Sequence, residues 1–162
     1  MKLNSEQWQI LRECTTGEDG LKKVLSIFYA EGKGPVGQGK LIMIVDDDTA
    51  ILSLVQQVLE QNGFQAVTTS GARACLSLLP FKKPDLLLLD MTMPEMDGSE
   101  LFAKIRSYPQ TAQTPVIFMT GLVSPEEEAE YNHQVGEQKH YLGKPFNAAK
   151  LVSMIATILK LA

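Results

Sequence analysis

The chain has 162 residues, 44% of them hydrophobic and 21% charged, enough for one domain with a buried core and a short extension. A net charge of −4 supplies no basic patch, so neither direct nucleic-acid binding nor attachment to an anionic membrane is expected. The opening MKLNSEQWQILREC lacks a secretory apolar core, no segment reaches the ~20 apolar residues of a membrane span, and Cys14 and Cys75 show no metal or disulfide spacing, so a cytoplasmic protein is expected.

Residues 1–31 contain two short helical candidates. Ser5 is placed to cap the first, which carries Trp8, Ile10 and Leu11; Asp19 is placed to cap the second, which carries Leu21, Val24, Leu25 and Phe28 at helical spacing. Residues 32–39, GKGPVGQG, read as a Gly-rich linker or extended connector. Residues 1–39 together carry five basic and five acidic side chains, so the whole net charge belongs to residues 40–162.

From residue 40 to 162 the pattern alternates. LIMIV (41–45) is an uninterrupted apolar run, as in a strand covered on both faces. Ile51, Leu54, Val55, Val58 and Leu59 mark a helix stripe that Asn62-Gly63 ends. FQAVTTS is a weaker strand, and Ala72–Leu79 a helix with Leu76 and Leu79 inward, stopped by Pro80 and Pro84. DLLLLDM (85–91) is the strongest strand signal. A helix with Leu101 and Ile105, the strand VIFMT (116–120), an acidic helix over 125–135, the short strand HYLGK and a helix from Ala148 to Leu161 complete the chain. Five strands separated by helices pair in parallel through right-handed crossovers, giving a doubly wound α/β (βα)5 sheet with helices on both faces.

Such a sheet places its reactive groups beyond the carboxyl ends of the strands. Asp46, Asp47 and Asp48 follow the first strand, Asp90 the third, Thr120 the fourth and Lys144 the fifth. Carboxylates gathered at one edge repel unless a cation joins them, and hard oxygen ligands with room for water suit Mg²⁺. Lysine and a threonine hydroxyl can then hold a phosphoryl group while Asp90 acts as the nucleophile, forming an acyl phosphate. Asp48 is expected to be the N-cap of the first helix. Glu126, Glu127, Glu128 and Glu130 read as a solvated helix face, His133 and His140 as surface histidines, and Met91, Met93 and Met96 as packing residues.

Four segments, LIMIVDDDTAIL, LLLLDMTMPEMDG, VIFMTG and YLGKPF, resemble in order and spacing the signature blocks of bacterial two-component response-regulator receiver domains, over residues 40–162. The resemblance implies a flavodoxin-like five-stranded sheet in the order 2-1-3-4-5 and a stand-alone, chemotaxis-regulator-like signalling phosphoacceptor, not an enzyme acting on small substrates. It makes Asp90 the phosphoacceptor, fed by a sensor histidine kinase or phosphotransfer protein. Asp47 is then the direct ligand of Mg²⁺ (with Mn²⁺ able to substitute), Asp46 acts through water, and the Thr92 backbone carbonyl completes the protein's share. Thr120 and Tyr141 resemble the switch pair, Lys144 the phosphoryl-binding lysine, and Lys144-Pro145 the family's cis peptide. The side chains of Thr92 and Leu122 would border the path of water to the acyl phosphate, and Gly121 would leave the phosphoryl site open.

Two other readings compete. An aspartyl-nucleophile phosphatase or phosphotransferase would place a second carboxylic acid two residues after the nucleophile, where this chain has Thr92. A docking module independent of phosphorylation would be expected to lack an Asp, the Thr or the Lys, and none is missing. No output domain is expected after the last helix, so the signal should leave by contact with a downstream protein target. The face formed by the fourth helix, fifth strand and fifth helix is expected to serve that contact or a homodimer. The apolar last helix is expected to leave one side exposed.

Overall fold

The computed structural model describes residues 36–134 and 138–161. The expected helical pair over 1–31, residues 32–35 of the connector and the side chain of His133 lie outside the described residues. The elements in chain order are β1 (Leu41–Val45), α1 (Thr49–Gln61), β2 (Gln65–Thr69), α2 (Ala72–Leu78), β3 (Leu86–Asp90), α3 (Gly98–Ser107), β4 (Val116–Thr120), α4 (Pro125–Gln134), β5 (Lys139–Gly143) and α5 (Ala148–Ile158).

All five strands pair in parallel, as the alternating pattern predicted, and in the order β2-β1-β3-β4-β5 that the resemblance implied. β3 and β4 are buried along their whole length and β1 along all but its first residue, so nonpolar side chains point into both layers. One layer packs Ile42, Ile44, Leu86, Leu88, Ile117 and Met119 against residues of α1 and α5. The other packs Met43, Val45, Leu87, Leu89, Val116 and Phe118 against residues of α2 and α3.

Four expectations change in the structure. On α1 the inward positions are Leu52, Val55 and Leu59, whereas Leu54 is 59% exposed. Leu52 falls three and seven residues before the two other buried positions, a tighter fit to the 3.6-residue repeat than Leu54 offers. On α5, Leu151 and Ile155 are buried, and Val152, Met154, Ile158, Leu159 and Leu161 are partly buried against the same core, so this helix presents no fully exposed large apolar residue. On α4, Glu128 is buried instead of solvated. His140 is half-buried on β5.

Residues 36–39, expected as connector, form a turn. Gly37 N–H donates to the Asn62 carbonyl at 2.8 Å and Gly39 N–H to the Gly63 carbonyl at 2.9 Å. A Cβ on Gly37 would stand 2.3 Å from the Phe64 nitrogen, so only glycine allows this approach. None of the described helices is long and apolar enough to cross a membrane.

Candidate functional site

Sheet register carries the candidate residues to one edge. Val45 lies level with Leu89, Asp90 with Met119, and Thr120 with Gly143. Asp46 therefore leaves β1, and Lys144 leaves β5, on either side of Asp90 and Thr120 at the ends of β3 and β4. The separation in sequence is large: Lys144 is 98 residues from Asp46 and 54 from Asp90, yet its Nζ stands 2.8 Å from Asp46 Oδ2 and 3.1 Å from Asp90 Oδ1.

Asp46 is almost wholly buried, and both its oxygens are engaged. Oδ2 accepts from Lys144, and Oδ1 accepts the Asp48 N–H at 2.9 Å. Asp48 in turn caps α1, its side chain accepting the Ala50 N–H at 2.8 Å and the Ile51 N–H at 3.4 Å, the capping role expected for it. Asp47 is exposed at the mouth. One carboxylate oxygen from each of Asp46, Asp47 and Asp90 lies within 4.8 Å of the others. Oxygens on opposite sides of a Mg²⁺ stand ~4.2 Å apart, so this donor set fits a single hard divalent ion, with one carboxylate reached through water. Asp46, whose oxygens are already occupied, suits that indirect position.

Burial raises the Asp90 carboxyl above its usual range. The hydrogen bond from Lys144 opposes this, the Asp46 charge adds to it, and the charge of Lys144 and a hydrogen bond from the Thr92 backbone pull it back down. Lys144 shows the converse. Burial alone would lower its ammonium, but the Asp46 and Asp90 carboxylates outweigh burial and hold it above the ordinary lysine value. Lys144 thus places its positive charge between two buried carboxylates, and the Lys144-Pro145 peptide is cis, as the resemblance implied.

Thr120 is 4% exposed; its Oγ accepts the Leu122 N–H at 3.1 Å, and its carbonyl accepts the Lys144 N–H at 2.7 Å. Above it the site is open: a Cβ on Gly121 would meet nothing within 4 Å, and Leu122 is 81% exposed. Met93 is buried, and Met91 and Met96 pack against the same core, as expected for packing residues. The Tyr141 ring stacks on Phe118 at 5.4 Å and meets Tyr131 at 5.5 Å.

Two contributors were missed from the sequence. Gly98, at the start of α3, lies so close to the Asp90 backbone that a Cβ there would stand 2.6 Å from the Asp90 carbonyl oxygen. Glu128 receives the Gly143 N–H at 2.7 Å, next to Lys144, and pairs with Lys150. The sequence of α4, PEEEAEYNHQ, has no apolar stripe, which signals that some polar side chain meets the sheet but not which one.

Comparison with known proteins places this geometry. The family model described as the response regulator receiver domain matches residues 42–156. The transcriptional regulatory protein CpxR of Escherichia coli K12 is 39% identical over 119 residues, covering 74% of this chain and 49% of CpxR. The alkaline phosphatase synthesis transcriptional regulatory protein PhoP of Bacillus subtilis is 29% identical over 124 residues, covering 75% of this chain and 49% of PhoP. The chain thus spans about half the length of these curated relatives. Among solved structures, the chemotaxis response regulator CheY4 of Vibrio cholerae superposes with a TM-score of 0.64 at 28% identity, over 74% of this chain and 98% of CheY4.

Proposed function

The chain belongs to the response-regulator receiver family of two-component signalling, and on that premise we propose that Asp90 is its phosphoacceptor, served by Lys144, Thr120 and a Mg²⁺ at Asp46 and Asp47. The observation that carries this reading is the Lys144 ammonium held between the buried carboxylates of Asp46 and Asp90 at 2.8 and 3.1 Å, beside the exposed Asp47. Clustered negative charge of this kind is costly without cations, and it is the environment that binding and transfer of a phosphoryl group requires.

Asp47, Asp90, the Thr92 backbone carbonyl and, through water, Asp46 would hold the ion, whose bound charge neutralises the phosphoryl oxygens. The remaining work falls to the chain. A carboxylate oxygen of Asp90 bonds to phosphorus as the P–N bond of a kinase or phosphotransfer-protein phosphohistidine breaks. The bonding pair leaves on the imidazole nitrogen, which is protonated from water. Lys144 pairs with the transferred group, and the Thr120 hydroxyl, now accepting from Leu122, is free to donate its own proton to a phosphoryl oxygen. Tyr141 would respond to Thr120, passing the change to the α4–β5–α5 face, where a downstream protein or a second copy would dock.

The rival readings lack support at named positions. Thr92 offers no general acid for a phosphatase, and the acceptor, hydroxyl, lysine and acidic pair are all present, which a phosphate-independent docking module would not need. The test is incubation with acetyl phosphate and Mg²⁺, read by intact mass, comparing wild type with Asp90→Ala. One phosphoryl group on the wild type and none on the variant is expected; equal labelling of both moves the acceptor elsewhere and overturns the assignment.

A further inference from the structure

Glu128 stands apart from the acidic run around it. Glu126, Glu127 and Glu130 are exposed, whereas Glu128 is 6% exposed and turned towards β5. Its Oε2 accepts the Gly143 N–H at 2.7 Å, and Lys150 Nζ reaches Oε1 at 2.8 Å and Oε2 at 2.9 Å. One carboxylate thus joins α4, the end of β5 and the first turn of α5. Four residues along the same face of α4, the Asn132 side chain accepts the Tyr141 N–H at 2.7 Å and donates to the Tyr141 carbonyl at 2.8 Å. β5 is an edge strand, and α4 meets its outer backbone groups with these two side chains.

The contact is close-packed. A Cβ on Gly143 would stand 3.1 Å from Glu128 Oε2 and 3.3 Å from the Val123 carbonyl, so the loop after Thr120, the helix α4 and the residue before Lys144 touch at one point. A buried carboxylate is stable here only while its N–H donor and its ammonium stay in place. Displacement of α4 or of the β5 end removes a partner and is therefore opposed. A phosphoryl group on Asp90 would meet both segments at once, because Thr120 leads into the Val123 loop and Lys144 follows Gly143.

We propose that Glu128, paired with Lys150, is a positioning residue that ties α4 to the Lys144-bearing end of β5 in the unphosphorylated form, so that its strength sets how readily the domain accepts a phosphoryl group. The proposal rests on Asp90 being the acceptor. Glu128→Gln keeps an acceptor for Gly143 N–H and removes only the charge.

The experiment measures binding of beryllofluoride, a phosphoryl mimic, with Mg²⁺ to the full chain, under conditions where every variant is folded. Glu128→Gln is expected to bind about three- to tenfold more tightly than wild type, and Lys150→Gln, which removes the other charge of the pair, to bind more tightly as well. A lower thermal midpoint with unchanged or weaker affinity would mean packing alone and overturns the proposal. Amide exchange at Gly143 in the wild type supplies a second reading that needs no variant: faster exchange with beryllofluoride is expected, and an unaltered rate overturns the tie. A wild type that binds no beryllofluoride overturns the acceptor assignment itself, and the tie falls with it; normal wild-type binding with an unresponsive Glu128→Gln removes only the tie.

Discussion

Lys144→Met is the sharpest perturbation of the site, because it keeps a long side chain and removes one charge. In the wild type that charge lies 2.8 Å from Asp46 and 3.1 Å from Asp90, whose side chains are 1% and 9% exposed, while Lys144 keeps 22% of its own side chain in water. Removing one partner of a buried ion pair costs about 3–5 kcal/mol; with the lysine partly solvated, about 2–4 kcal/mol is expected for the metal-free protein. The penalty depends on pH in a fixed direction. Burial already raises the Asp90 carboxyl, so its ionised form costs stability above that raised value and the cost vanishes as the pH falls below the ordinary carboxylate range. The deficit of Lys144→Met should therefore be large at neutral pH and shrink under acid, as Asp90 protonates and its repulsion of Asp46 ends. The wild-type contribution of Lys144 has the opposite limit: its raised ammonium stabilises fully below the ordinary lysine range and is lost as the pH rises through the folded-state value. Urea unfolding followed by circular dichroism, in EDTA and in saturating Mg²⁺, reads these quantities. Mg²⁺ should restore most of the loss and bind the variant more tightly, since no ammonium competes for the carboxylates. Equal urea midpoints for wild type and variant in EDTA at neutral pH, or a deficit that does not shrink under acid, would refute the electrostatic account.

Gly98→Ala places a methyl 2.6 Å from the Asp90 carbonyl oxygen and 3.0 Å from Met91 Cα, both backbone atoms, so about 1–3 kcal/mol of stability should be lost and phosphoryl acceptance slowed, as read by urea unfolding and acetyl-phosphate labelling. The two leucines of α1 separate by burial: Leu52→Ala should cost about 2–4 kcal/mol and Leu54→Ala less than about 0.5 kcal/mol in chemical denaturation, and equal losses would contradict the assigned inner face. Burial pushes the Cys75 thiol up to about 12, so in a Cys14→Ser background it should react with a disulfide reagent only at the rate of unfolding; fast labelling of the native protein would show the α2 layer open.

Much of the site was legible because its residues occupy a repeated position, the end of an apolar strand. Four strands each deliver a polar group there, and in a parallel sheet all such ends lie at one edge, so Asp46, Asp90, Thr120 and Lys144 could be brought together without coordinates. The division of metal roles between Asp46 and Asp47 came from resemblance alone; the two differ in packing, the first buried with both oxygens hydrogen-bonded and the second exposed. Where the sequence reading slipped, an amphipathic pattern was ambiguous by one or two residues. Leu52 and Leu54 are both leucine, and only the neighbours each one meets decide which is inside. Glu128 shows the same limit for a polar group. Within PEEEAE nothing distinguishes it from Glu126 or Glu127, whose exposure matches the expected solvated face.

By itself the sequence determined the strand and helix order, the parallel sheet and the set of groups at its reactive edge, because periodicity and strand ends are local properties of the chain. Only the tertiary structure decided which side chains face which neighbour: Glu128 against Gly143 and Lys150, Gly98 against Asp90, and Asn132 along the edge of β5. Those relations depend on the rotation of each helix about its own axis and on close approach between distant segments, and the energy that fixes both exists only once the layers have packed.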